Sequence, residues 1–204
     1  MTRPVSSDVL ALLKSLPTTQ NRRLIAVAGA PASGKSTLAE QLAETLPNAA
    51  VVPMDGFHLD NEVLIKRDLL ARKGAPQTFD AKGFVALVKA LREPLAISYP
   101  TFDRSNDCVV PDGGRVEADC QTVIVEGNYL LLNTAPWDQL REFWSLSIFL
   151  DVPFNVLRER LLQRWHDHGY SEAEALTKAE SNDLPNARVV LNSKANATHV
   201  VNGA

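Results

Sequence analysis

Short uninterrupted apolar runs alternate along the chain with stretches in which apolar residues recur every three or four positions. Residues 24–28 (Leu-Ile-Ala-Val-Ala), 49–54, 123–125 and 146–150 are of the first kind. They predict buried parallel strands, because a strand covered on both faces has no reason to alternate with polar residues. Residues 38–46, 62–71, 81–91 and 153–168 are of the second kind and predict helices, the first stopped by Pro47. Phe84, Leu87, Val88 and Leu91 share one helical face; Val156, Leu157, Leu161 and Trp165 share another, which leaves Arg158, Arg160 and Arg164 outside or reaching into a cleft. At the amino end, residues 5–16 predict a helix with Ser6 or Ser7 as its cap, Val9, Leu10, Leu12, Leu13 and Leu16 on one side, and Pro17 as its end. Residues 18–23 form a polar link, and the tail predicts a polar helix near 172–179, an apolar segment near 189–191 and a last strand at 199–201.

The middle of the chain is less regular. Residues 95–99 predict a strand, and Cys108-Val109-Val110 and Arg115-Val116 flank Pro111-Asp112-Gly113-Gly114, a hairpin-turn signal. The stretch 95–117 therefore reads as an insertion beside a substrate. Strands alternating with helices predict the α/β class with a parallel sheet, and 204 residues suffice for one well-buried core, so residues 1–204 read as a single domain.

Charge and cysteine content narrow the partners. A net charge of −3 offers no basic face for a polynucleotide, which argues against nucleic acid. Residues 5–16 are too short and too polar for a signal peptide or a membrane span, so a cytoplasmic protein without a membrane partner is expected. Cys108 and Cys120 lack any metal or disulfide spacing and read as reduced thiols. The sequon at Asn196 carries no weight without a secretory signal. His166 and His168 read as a polar helix end rather than a metal pair, and Trp137, Trp144 and Trp165 as core or sheet-covering residues. Self-association stays open, since neither a heptad pattern nor an apolar patch can be read.

The chemistry concentrates at Gly29-Ala30-Pro31-Ala32-Ser33-Gly34-Lys35-Ser36-Thr37, which satisfies the phosphate-loop pattern G-x-x-x-x-G-K-[ST] between a strand and a helix. Gly29 and Gly34 let backbone N–H groups turn inward as an anion cradle. Lys35 supplies a charge for the outer phosphates, Ser36 a hydroxyl for Mg²⁺, and the following helix points the positive end of its dipole at the same place. A nucleoside triphosphate is the expected ligand. Asp55 and Glu126 each follow a strand, at the sheet edge where open α/β folds bind ligands. Asn192-Ser193-Lys194-Ala195 fails the guanine-reading N-K-x-D pattern, which removes the GTPases.

Four further segments occur in order: Met54-Asp55-Gly56-Phe57-His58; Arg72-Lys73-Gly74-Ala75-Pro76 with Phe79-Asp80; Tyr99-Pro100-Thr101-Phe102-Asp103-Arg104; and Val125-Glu126-Gly127. From residue 24 to 164 this series resembles the superfamily of uridine kinase, phosphoribulokinase and bacterial pantothenate kinase, and within it bacterial fructose-transport-system kinases and nucleoside kinase-like proteins. The resemblance implies a three-layer phosphate-loop fold with a short lid at about 160–172 hinged near Gly169. It also implies ATP and Mg²⁺ as cofactors and phosphorylation of a hydroxyl on a small sugar, nucleoside or pantothenate-like acceptor.

It further implies roles. Asp55 would accept the hydroxyl proton; Lys35, Arg160 and Arg164 would neutralise the transferring phosphoryl group; Ser36 and Glu126 would hold the metal, Glu126 directly, through water, or on the substrate. His58, Lys73, Tyr99, Phe102, Asp103, Arg104 and Glu126 are the acceptor-side candidates, with Lys73 and Arg104 hinting at a polar or anionic molecule. Residues 182–186 and the loop before His199 lie where the base is expected. The alternative reading is a regulatory protein that binds ATP and a metabolite without turnover.

Overall fold

The apolar run at 24–28 becomes the middle of a five-stranded sheet in the computed structural model, which describes residues 7–16 and 21–203. The strands are β1 (Arg23–Gly29), β2 (Ala49–Pro53), β3 (Ile97–Asp103), β4 (Cys108–Val116), β5 (Thr122–Gly127), β6 (Leu146–Asp151) and β7 (His199–Asn202). The main sheet is wholly parallel in the order β2-β5-β1-β6-β7, and β3 pairs with β4 as a separate antiparallel hairpin. Burial explains the pattern. The three inner strands are buried almost end to end, whereas the edge strand β7 alternates between half-buried and exposed residues. Helices cover both faces in a three-layer α/β arrangement.

The helices are α1 (Ser7–Ser15), α2 (Lys35–Thr45), α3 (Asn61–Lys66), α4 (Ala81–Ala90), α5 (Phe154–Asp167), α6 (Glu172–Lys178) and α7 (Leu184–Leu191). Val9 and Leu13 of α1 are buried in the main core, while residues 5, 6 and 17–20 of the predicted amino-terminal segment lie outside the described residues. α2 packs across β1, β5 and β2 through Leu38, Ala39 and Leu42. α6 opens on a capping box between Ser171 and Glu174.

Two predicted elements are corrected, and the apolar segment near 189–191 takes its form. The helix expected over 62–71 ends at Lys66, because Asp68 takes a left-handed backbone (φ +53°) and the chain resumes only as a short 3₁₀ turn at Leu70–Arg72. The apolar stretch 189–191 is the end of α7, which follows α6 through one π-helical turn at Ala179–Asp183. Pro111-Asp112-Gly113-Gly114 is not a hairpin turn. β4 runs through it, with a bulge opposite Pro100, and the turn falls at residues 104–107, where Asp103 accepts the N–H groups of Ser105 (2.8 Å) and Asn106 (3.1 Å). An Asx turn outcompetes the Gly-Gly signal because the glycines serve another need: a side chain at Gly114 would collide with the Tyr99 ring on the facing strand.

The amino ends of the strands are closed by a buried arginine. Arg22, just before β1, donates to the carbonyls of Cys120 (2.9 Å), Leu91 (3.1 Å), Leu95 (3.0 Å) and Glu117 (2.9 Å), tying the end of α4 to the loop before β5.

Candidate active site

At the opposite end, β1 runs directly into the phosphate loop. Ala32 (φ +62°) and Gly34 (φ +92°) both adopt left-handed backbones, and Gly34 forms the N-cap of α2, so Lys35 and Ser36 open that helix. Such a turn aims consecutive N–H groups into one concavity. A Cβ on Gly29 would lie 2.6 Å from the Ser33 hydroxyl and close the loop on itself. The Ser33 oxygen is buried and lacks a protein partner, as an anion-binding loop would leave it.

β5 lies between β1 and β2, and register places Glu126 opposite Val27 on one side and Pro53 on the other. Asp55 follows Pro53 by two residues in a 3₁₀ turn, so the two carboxylates end adjacent strands. Glu126 is buried near the Ser36 hydroxyl; burial pushes its carboxyl above the ordinary range against the pull of the Lys35 ammonium, while Asp55 pushes it further up and Ser36 eases it down. Its Oε2 has no hydrogen-bond partner among the described residues.

That orphaned oxygen beside a hydroxyl is a hard, anionic donor set suited to Mg²⁺, which needs only one or two protein ligands when phosphates and water supply the rest. Among the described residues no group of three or more His, Cys, Asp or Glu side chains gathers to hold a metal alone. The residues thus fit a metal that arrives with a polyphosphate.

The β3–β4 hairpin forms the outer wall. Gly56 admits it, since a Cβ there would lie 1.8 Å from the Pro100 carbonyl oxygen. His58 is sandwiched between Phe79 and Phe102, with ring centres 4.1 and 4.7 Å away. Its Nδ1 lies 2.8 Å from the Asp55 carbonyl oxygen, which can only accept, so this nitrogen carries the proton; burial lowers the imidazole pKa. Lys73 donates to Asn61 Oδ1 (2.7 Å) and Asp107 Oδ1 (2.8 Å) and lies over the Phe102 ring. Arg104 Nη2 donates to Asp55 Oδ2 at 2.5 Å.

The AAA domain family matches residues 25–180, well over half of the chain. The chain is 37% identical to the uncharacterized protein YggC of Escherichia coli, over 93% of this chain and 83% of that one, and 36% identical to a Schizosaccharomyces pombe protein named "Putative uridine kinase C227.14", over 84% and 79%. It matches a solved structure from Silicibacter sp. TM1040, described as a "putative fructose transport system kinase", at 43% identity and a TM-score of 0.90, covering 97% of this chain and 99% of that one. It belongs to the P-loop kinase family, with relatives named as uridine and pantothenate kinases. No helix among the described residues of this P-loop kinase family member is long and apolar enough to cross a membrane.

The sequence candidates do not all meet. Asp55, Glu126, Lys35, Ser36, His58 and Arg104 lie within one electrostatic neighbourhood. Arg160 places Nη1 3.3 and 3.4 Å from the Ala32 and Ser33 carbonyl oxygens, against the phosphate loop. Arg164, expected beside it, is turned instead toward Asp183 (3.4 Å), whose other oxygen accepts the Trp165 indole N–H (2.7 Å). Tyr99 donates its hydroxyl to the Val51 carbonyl (3.0 Å) and braces the hairpin on β2. Asp103 is taken up by its own turn.

Two residues of the expected base segments have protein partners. Asn182 donates to the Lys73 carbonyl (2.7 Å), on the acceptor side, and Thr198 is bonded to Ser147 at the amino end of β6. Sequence reasoning passed over Tyr129 and Asp107, and placed Asp183 in the base stretch rather than beside Arg164. Tyr129 donates to the Gly74 carbonyl (2.5 Å) and stacks edge-on with Phe79, so it fixes the Lys73 turn from beneath. No local pattern marks these residues, because their partners lie far away in the chain.

Proposed function

We propose that the protein transfers the γ-phosphoryl group of ATP to a hydroxyl of a small metabolite in the presence of Mg²⁺. The observation that carries this is the pair of carboxylates, Asp55 and Glu126, ending adjacent strands against Lys35 and Ser36 of the phosphate loop.

In this reading the loop amides and Lys35 hold the polyphosphate, and Arg160 adds charge on the outer side. Ser36 and Glu126 hold Mg²⁺, which supplies charge neutralisation on the phosphate oxygens when bound. The acceptor oxygen forms a bond to the γ-phosphorus as the bond from that phosphorus to the bridging oxygen breaks, and Asp55 takes the hydroxyl proton. Phosphoryl transfer asks the protein mainly for alignment and electrostatic stabilisation. The aromatic sandwich around His58 and the Lys73 clamp give the acceptor a rigid wall, which is how alignment is obtained without a large domain movement.

Asp55→Asn tests the assignment. Acceptor-dependent ADP formation should fall about 10³-fold, the usual worth of a positioned base, while affinity for a non-hydrolysable ATP analogue is unchanged. Full turnover in that variant would remove Asp55 from the role. Binding of ATP and a metabolite by the wild type without any phosphorylated product would make the protein a regulatory binder instead.

A further inference from the structure

The ion pair that Arg104 makes with the proposed base is also an obstacle. If Asp55 is to accept a proton, the oxygen held by Arg104 must be released, or the base is half covered when the hydroxyl arrives. The Arg104 side chain is 73% exposed and that of Asp55 22% exposed. An exposed pair of this kind is held weakly and opens readily.

Where the guanidinium goes next depends on the other charges. Arg104 springs from a hairpin tip made rigid by Asp103, which accepts the Ser105 and Asn106 N–H groups and the Asn106 side-chain amide (2.7 Å). The tip therefore stays in place while the long side chain swings. Lys73, the other cation on this wall, is already neutralised by Asp107 and held by Asn61. Arg72 faces away, donating to the Ser181 carbonyl (2.7 Å). Lys35 stands on the phosphate loop. Once it leaves Asp55, Arg104 is thus the cation on the acceptor wall that has given up its carboxylate.

We infer that the acceptor carries an anionic group, a carboxylate or a phosphate, close to the hydroxyl that is phosphorylated, and that this group draws Arg104 off Asp55. The inference rests on the kinase reading above and names the class of its substrate. A planar guanidinium matches either anion with two parallel hydrogen bonds. A neutral acceptor offers no such exchange and leaves Arg104 free to return to Asp55. Arg104 is accordingly a specificity-determining residue, and the unliganded site is blocked by its own counter-ion.

The test uses the full chain with a non-hydrolysable ATP analogue and Mg²⁺, titrated calorimetrically with three sets of hydroxyl compounds: hydroxycarboxylates, sugar phosphates, and neutral sugars with nucleosides. Each set is then assayed for ADP release with ATP. Binding should appear in one of the anionic sets and weaken at least about tenfold in Arg104→Ala, the loss expected for a charge-assisted pair. Arg104→Lys should recover part of it, and affinity for the nucleotide should stay unchanged in both variants. The two anionic sets separate carboxylate from phosphate.

Binding confined to neutral compounds, equal binding by Arg104→Ala, or no binding in either anionic set overturns the inference. Phosphorylation of a neutral compound would overturn it while upholding the kinase reading. An anion that binds through Arg104 without yielding phosphorylated product would do the reverse.

Discussion

At the amino ends of the strands, Arg22 is buried and its donors meet four backbone carbonyls from two segments. At the carboxyl ends, Arg104 stands mostly in solvent and meets one carboxylate oxygen. The first arginine has no second place to go, since any movement strands several buried acceptors at once. The second exchanges its partner at little expense. The same side chain thus closes the floor of the sheet and gates its rim, and the difference lies in burial and in the number of partners rather than in the residue.

The comparison breaks most directly at the floor. Arg22→Ala should destabilise the protein by about 3 kcal/mol, as several buried carbonyls lose their donors together, while leaving the KM for ATP and for the acceptor unchanged. Urea denaturation beside steady-state kinetics measures both. Arg22→Lys should recover only part of the loss, because one ammonium cannot reach four acceptors in the geometry of a guanidinium. A fully stable Arg22→Ala would show that the floor is closed by apolar packing alone.

The rim should show the opposite signature. Glu126→Gln removes a charge that burial disfavours, so its stability should equal or exceed that of the wild type. Function should suffer: the Mg²⁺ concentration for half-maximal ADP formation should rise at least about tenfold, equivalent to about 1.4 kcal/mol, in a metal titration at saturating ATP. An unchanged metal requirement would leave Glu126 the task of orienting the Ser36 hydroxyl.

These contrasts also mark what the sequence carried. Gly29 to Thr37 was legible because cradle, strand and helix are contiguous, so one local pattern encodes the whole unit. Asp55 and Glu126 were legible because each follows an apolar run, and parallel register brings strand ends together without further information. Arg22 was read as part of a polar link, since nothing local says that carbonyls from residues 91, 95, 117 and 120 converge on it. The hairpin turn was misplaced because two turn signals competed within ten residues and the choice depended on Tyr99 lying across Gly114. Arg164 was paired with Arg160 by helical spacing, but the π-helical turn brings Asp183 within its reach, and that turn leaves no periodic mark. What failed was long-range partnership.

The smallest effect separates rim from floor by pH. In the folded protein burial lowers the His58 pKa from its ordinary 6.5, although the Asp55 charge and its backbone carbonyl oppose that shift and Lys73 and Arg104 add to it. The unfolded chain therefore takes up a proton near pH 6.5 that the folded protein refuses until lower pH, and stability falls as the pH drops through that window. Glu126 and Asp183 work the other way: burial raises both, so the folded state holds protons that the unfolded chain has released, and their contribution grows as the pH drops from their raised values toward the ordinary carboxyl range. The wild-type profile is the difference of these trends. His58→Gln deletes only the first, so relative to the wild type its stability should improve on going from pH 7 to pH 5, with a slope of at most about 1.4 kcal/mol per pH unit. Urea midpoints of both proteins at several pH values measure it, and parallel profiles would show that the aromatic sandwich leaves His58 free to protonate.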